Sequence, residues 1–146
     1  MHRAALALFS MLQLVCANPA QADILSGPVE ARVLRVIDGD TFIAEAKVWP
    51  GHSVKVSVRI RGIDAPEIRS RCPEEKAAAG RARDLLTMLV ASGTVKLFNI
   101  GGGKYHGRVL ADVVAEDGEE LAPVLLGHDV VRPYAGGRRV PFCQAS

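Results

Sequence analysis

Residues 54–61, VKVSVRIR, carry the clearest secondary-structure pattern of the chain. Valine or isoleucine occupies every even position, and lysine, serine or arginine occupies every odd one. Successive side chains of a strand point to opposite faces, so this period of two predicts a strand with one buried face. Arg59 is therefore expected to point away from the face that carries Ile60.

Further strands are predicted on both sides of this stretch. Residues 29–37 are rich in β-branched residues, and residues 41–48 form the partner strand across the turn signal Asp38-Gly39-Asp40. Beyond the stretch, residues 95–100 and 109–114 predict two more strands. The sequence therefore predicts five strands in all.

Two helices are expected between and after these strands. Pro73 suits a first helical turn, Glu74 and Glu75 suit the positive end of the helix dipole, and Gly93 is a suitable stop. Helical spacing is kept by Ala78, Ala82, Leu85, Leu86, Leu89 and Val90. Residues 119–127 predict a second, short helix. Three strands, a helix, two strands and a helix make an α+β fold, the five-stranded Greek-key barrel of oligonucleotide-binding (OB) folds.

Composition limits the classes of protein that fit. The chain has 146 residues, 23% of them charged, and a net charge of +2, which suits one compact domain and argues against disorder. So small a charge excludes a uniformly basic coat, and any nucleic-acid contact must come from a local cluster. No apolar run reaches the roughly 18 residues that a membrane span needs. We expect a monomer without an obligatory protein partner.

The first 22 residues have the pattern of an export signal. Arg3 precedes an apolar segment, residues 4–16, and Ala20-Gln21-Ala22 is the small-x-small pattern of a cleavage site. The alternative is a buried N-terminal helix. Export would leave residues 23–146 as the OB domain with its basic tail, either secreted or periplasmic.

Removal of the signal would leave two cysteines, Cys72 and Cys143. An even number in an oxidising compartment predicts one disulfide, which would close a loop of about 70 residues. The alternative is a pair of free, buried thiols.

Four short segments carry polar residues that the fold does not obviously need. They are residues 38–41 (DGDT), 59–67 (RIRGIDAPE), 105–108 (YHGR) and a basic tail around Arg132, Arg138 and Arg139.

Asp40 and Asp64 suggest a metal site. Two carboxylates brought together repel each other unless a cation lies between them, and a hard ion such as calcium prefers oxygen ligands. No Cys/His cluster offers a zinc site. The alternatives are a plain hairpin turn at Asp40 and a strand terminus at Asp64.

Arg59, Arg108 and Glu67 suggest phosphate chemistry beside that metal. Each guanidinium matches two phosphate oxygens, and a glutamate in a loop can orient or deprotonate water. The alternatives are two solvated strand arginines and a surface glutamate.

Three motifs in this order resemble the staphylococcal (micrococcal) nuclease family: residues 36–41 (VIDGDT), Arg59 with residues 62–67 (GIDAPE), and residues 106–111 (HGRVLA). The resemblance spans about residues 29–133. It implies an OB-fold, calcium-dependent phosphodiesterase, an endonuclease acting on DNA and RNA. In that family water attacks phosphorus and the 5′-oxygen leaves, giving 3′-phosphate ends.

The resemblance also implies a set of calcium ligands. Asp40 and Asp64 would bind the ion through their side chains and Ala65 through its main-chain carbonyl, with Asp38 in the outer shell. Ala65 replaces a frequent threonine, a change that keeps the carbonyl but removes a hydroxyl.

Catalytic roles follow from the same resemblance. Arg59, Glu67 and Arg108 match the family's catalytic arginine, glutamate and second arginine. His106 stands where a tyrosine is common, with Tyr105 one position earlier, and both are candidates for binding the substrate phosphate.

Two other functions fit parts of the sequence. A non-catalytic OB module could bind single-stranded nucleic acid, which requires a basic groove with exposed aromatics. A secreted structural domain could hold calcium for stability alone, but it would leave both arginines unexplained.

Overall fold

The computed structural model describes residues 23–143. The predicted export signal, residues 1–22, lies outside the described residues and stays a prediction. The elements in chain order are β1 (Val29–Asp38), β2 (Thr41–Trp49), β3 (His52–Ile60), β4 (Ile63–Asp64), α1 (Pro73–Leu89), β5 (Thr94–Gly102), β6 (Arg108–Ala115), α2 (Leu121–Gly127) and β7 (Arg132–Pro133).

Five of these strands close into a barrel in the order β1-β2-β3-β6-β5. All neighbouring strands are antiparallel except β3 and β6, which run parallel and close the barrel. α1 lies between the third and fourth barrel strands, and α2 follows the fifth. The predicted α+β, OB-like barrel is confirmed.

The core fills the barrel, and the alternation of β3 explains how. Val58 and Ile60 are buried with Phe42, while Arg59 lies on the opposite face and is partly exposed. The half-buried pattern holds only for the second half of β3, since Val54, close to the β2–β3 turn, is exposed. The alternation in the second half of β3 therefore points the Arg59 side chain away from the core.

The helices begin and end near their predicted bounds. α1 begins at Pro73, as the sequence predicts, but ends at Leu89, short of Gly93. Gly93 instead has φ +84° and donates its N–H to the Val90 carbonyl at 2.9 Å, which turns the chain into β5. α2 begins at Leu121 rather than at residue 119, because the Glu119 carbonyl accepts the Ala115 N–H at 2.8 Å. Neither helix in the described chain is long and apolar enough to cross a bilayer.

Two short strands, β4 and β7, are absent from the five predicted strands and join the tail to the barrel. They are antiparallel, with Ile63 opposite Pro133 and Asp64 opposite Arg132. Periodicity cannot reveal strands of two residues, which depend on a partner far along the chain. Cys72 and Cys143 form the predicted disulfide, with a Cα–Cα distance of 6.5 Å. The end of the tail is thereby fixed at the start of α1.

Candidate functional site

The β1–β2 turn carries the first acidic residues, and α1 lies directly against it. A Cβ added at Gly39 would lie 2.4 Å from the Ala82 Cβ and 3.1 Å from the Ala65 Cβ. Gly39 is therefore required for the close approach of α1 rather than for a left-handed backbone. In the same turn, Asp38 Oδ1 accepts the Asp40 N–H at 3.2 Å.

Asp40 is 1% exposed, and hydrogen bonds hold both of its carboxylate oxygens. Oδ1 accepts the Thr41 hydroxyl at 2.7 Å and Arg59 Nη1 at 2.7 Å. Oδ2 accepts the Ala65 N–H at 2.8 Å. A buried carboxylate needs such donors, so its orientation is fixed by the fold.

Arg59 joins Asp40 to the second predicted metal ligand, Asp64. Its Nη2 donates to Asp64 Oδ1 at 3.0 Å and to the Ile63 carbonyl at 3.3 Å. Asp64 is 5% exposed, and the Arg59 side chain is 18% exposed. The first two motifs thus meet in one largely buried cluster, in which one guanidinium bridges two carboxylates.

A second arginine, Arg139 of the tail, also contacts this cluster. Its Nε donates to Asp64 Oδ1 at 2.7 Å, and its Nη2 donates to the same oxygen. The hydrogen bond to Asp64 raises the pKa of the Arg139 guanidinium above its ordinary value. The basic tail was visible in the sequence, but only the disulfide and the β4–β7 pairing bring this residue, 75 positions away, to Asp64.

Glu67 lies at the exposed edge of the cluster. Its Oε2 is 3.9 Å from Arg139 Nη1, which is close enough for an ion pair but too long for a hydrogen bond. Glu75 of α1 holds the loop, because its carboxylate accepts the Glu67 N–H at 3.1 Å and the Ser70 hydroxyl at 2.6 Å. The Glu67 carboxylate is therefore positioned by its backbone and remains open to solvent.

The charges of the cluster do not balance. Asp38, Asp40, Asp64 and Glu67 supply four carboxylates against the two guanidiniums of Arg59 and Arg139, a formal excess of two negative charges. Burial, and next the Asp40 carboxylate, raise the pKa of Asp38 to about 6. Oxygen ligands with two uncompensated charges suit a hard divalent cation.

Ala65 is buried beside Asp40, to which its N–H donates, so the backbone of this residue adjoins the cluster. Within residues 23–143, the one group of three or more His, Cys, Asp or Glu side chains whose ligand atoms all lie within 4.8 Å of one another is Cys72, Glu74 and Cys143. The disulfide occupies both of those sulfurs, so this group is not a thiolate site.

The third motif lies apart from the carboxylates. Arg108 is opposite Ser57 in the parallel β3–β6 pair, so it lies on the same outward face as Arg59. Its Cζ is 5.4 Å from the ring centroid of exposed Tyr105, and His106 is exposed in the turn before β6. Among the residues described, Arg108 forms no ion pair with the carboxylates.

A cleft of about 680 Å³ adjoins Arg59 on this face. β3 and β6 form one wall, through Arg59 and Leu110, and the tail forms the other through Pro133 and Tyr134. The Arg59 Cζ lies 5.9 Å from the Tyr134 ring centroid. The cluster therefore borders a groove that is open to a ligand.

Fold and site together define a small OB-like barrel with a partly buried cluster of acids and arginines at one end. No family model matches the chain. It is similar to two relatives, from Escherichia coli and from Escherichia coli O157:H7, each described as an uncharacterized endonuclease. With each it shares 35% identity over 96 residues, which are 65% of this chain and 54% of the relative. The chain thus spans about half the length of these relatives, and its resemblance to the staphylococcal nuclease family stays a prediction.

Proposed function

We propose that this protein is a calcium-dependent nuclease that hydrolyses phosphodiester bonds of DNA and RNA. The observation that carries the proposal is the bridge from Arg59 to Asp40 and Asp64, in a cluster with two negative charges in excess. The endonuclease description of the two relatives points to the same class of enzyme.

The carboxylates of Asp40 and Asp64 and the carbonyl of Ala65 would hold the calcium ion, with Asp38 in the outer shell. These are the oxygen donors that calcium prefers. When bound, the ion would offset negative charge on the phosphate and so ease attack by water.

The remaining groups act on the water and the phosphate. Glu67 is solvent-facing and anchored by its backbone, so it can orient the attacking water and accept its proton. Arg59 and Arg108 lie on one face of the sheet and stabilise the charge that develops on the phosphate oxygens. Tyr105 and His106 would contact the substrate phosphate. Departure of the 5′-oxygen leaves a 3′-phosphate end.

Sequence preference should be weak, because guanidinium and metal contacts reach the phosphates rather than the base edges. We also propose that the chain is exported, either secreted or periplasmic. The Cys72–Cys143 disulfide supports this, since disulfides persist in oxidising compartments.

Digestion of supercoiled plasmid DNA and of RNA, with calcium or with a chelator, tests the proposal. We expect cleavage of both polymers with calcium, none with chelator, and none by Asp64→Asn. Asp117→Asn, in an exposed turn, is the matched control and should cut normally. Binding without cutting would favour the OB module, and calcium-dependent melting without either activity would favour the structural domain.

A further inference from the structure

The tail of the described chain forms a strap, residues 132–143, that is fixed at both ends. β7 pairs with β4 at its start, and the disulfide to Cys72 holds its end. Arg132, at the start of the strap, also contacts its end. Its Nη1 donates to the Pro141 carbonyl at 3.0 Å, and its Cζ lies 4.0 Å from the Phe142 ring centroid. The position of the strap backbone is therefore defined by one covalent bond and several weaker contacts.

The strap places Arg139 against Asp64, a carboxylate that already pairs with the guanidinium of Arg59. Asp64 Oδ1 accepts Arg59 Nη2 as well as Nε and Nη2 of Arg139. The two arginines differ in how they are held. The Arg59 side chain is 18% exposed and bridges two acids, whereas that of Arg139 is 49% exposed and contacts Asp64 from the solvent side.

We propose that Arg139 sets the calcium affinity of the cluster by acting as a resident counter-cation on Asp64. This inference rests on the proposed metal site. Calcium that approaches Asp64 meets a like charge, so it binds against the repulsion of Arg139 or displaces it into solvent. Loss of the Arg139 charge raises the excess from two negative charges to three and favours a divalent ion.

The Cys72–Cys143 disulfide contributes to this effect on calcium affinity. It limits the strap to positions near Asp64, so the effective concentration of the Arg139 guanidinium there is high. The strap thus keeps the calcium affinity lower than it would be without the Arg139 charge beside Asp64. Replacing both cysteines by serine frees the end of the strap and so tightens calcium binding.

Calorimetric titration of the full chain with calcium tests this without reference to cleavage. We expect Arg139→Gln to lower the calcium Kd about tenfold, equivalent to about 1.4 kcal/mol, because calcium then approaches Asp64 without the like charge of Arg139 beside it. Arg138→Gln removes the same charge one residue away, from a side chain without an ion pair among the described residues, and should change Kd less than about twofold.

Cys72→Ser/Cys143→Ser supplies the second arm. It should lower Kd as Arg139→Gln does, and adding Arg139→Gln to it should bring less than a further twofold, about the limit of additivity. Melting curves establish that each variant is folded. Equal effects of the two arginine substitutions, or weaker binding by Arg139→Gln, would overturn the inference and leave the proposed function standing. Absence of calcium binding in every variant would overturn both.

Discussion

The acid cluster and the turn at residues 105–108 were both predicted as parts of one site, but they differ in burial and in how their side chains are held. Asp40 and Asp64 are buried, and hydrogen bonds from several elements fix them. Tyr105 is exposed, and its ring centroid lies 5.4 Å from the Arg108 Cζ and 5.7 Å from the Lys104 Nζ. The hydrogen bonds of the fold alone therefore hold the acids in place. An exposed turn can instead adjust to a flexible polymer when it binds. The comparison therefore separates a preorganised part of the site from an adaptable part.

Asp40→Asn should produce the largest effect on both activity and stability. Asp40 accepts three hydrogen bonds through two oxygens, and an asparagine would turn an NH₂ group toward one of those donors. We expect cleavage to fall about 1,000-fold. The free energy of unfolding should fall by about 3 kcal/mol, as when a buried ion pair loses one partner. Plasmid digestion and urea unfolding measure the two, with Asp117→Asn as control; unchanged stability would contradict preorganisation.

Arg59→Ala and Arg108→Ala distinguish the two regions most sharply. Both should slow turnover at least about 100-fold through loss of charge stabilisation. Only Arg59→Ala should also destabilise the fold, by about 2 kcal/mol, because it leaves Asp40 and Asp64 without their shared donor. Arg108→Ala should change the unfolding free energy by less than about 0.5 kcal/mol. Equal unfolding free energies of the two variants in urea would contradict the proposed difference between the two regions.

Gly39→Ala tests whether α1 holds the acidic turn in place. The added methyl would lie 2.4 Å from the Ala82 Cβ, so overpacking should cost about 1–3 kcal/mol of unfolding free energy. Gly80→Ala is the matched control in α1, where a Cβ meets open space, and it should stabilise by about 0.5–1 kcal/mol. Thermal melting of both variants gives the result, and a neutral Gly39→Ala would show that the turn can move away from α1.

Tyr105→Ala should have the smallest effect. The loss of one exposed hydrogen bond to the substrate phosphate costs about 0.5–1 kcal/mol, so we expect KM to rise about two- to fivefold. The exposed contact with Arg108 should contribute little to stability. Trp49→Ala, at the exposed β2–β3 turn, should leave both quantities unchanged. A large fall in the melting temperature of Tyr105→Ala would mean that this turn is as rigid as the acid cluster.

Much of the fold could be predicted, because local pattern determines it. The alternation in residues 54–61 places Ile60 in the core and Arg59 on the other face. Pro73 marks the start of α1. Gly93 was predicted as the helix stop, but the helix ends earlier and Gly93 lies in the turn before β5. Glycine suits both positions, so the residue alone does not distinguish them.

The site could be predicted only in part. Asp40, Arg59 and Asp64 come together through the hairpin and the loop that follows it, which are close in sequence. Arg139 reaches Asp64 only through β4–β7 pairing and the disulfide. These contacts join distant parts of the chain, and neither composition nor spacing indicates which of the tail arginines contacts Asp64.

The most direct test of the metal site is a crystal structure of the protein grown with calcium. We expect an ion bound by the carboxylates of both Asp40 and Asp64, with Asp64 drawn away from Arg139. Carboxylates still paired with Arg59 and Arg139 at saturating calcium, without an ion between them, would contradict it.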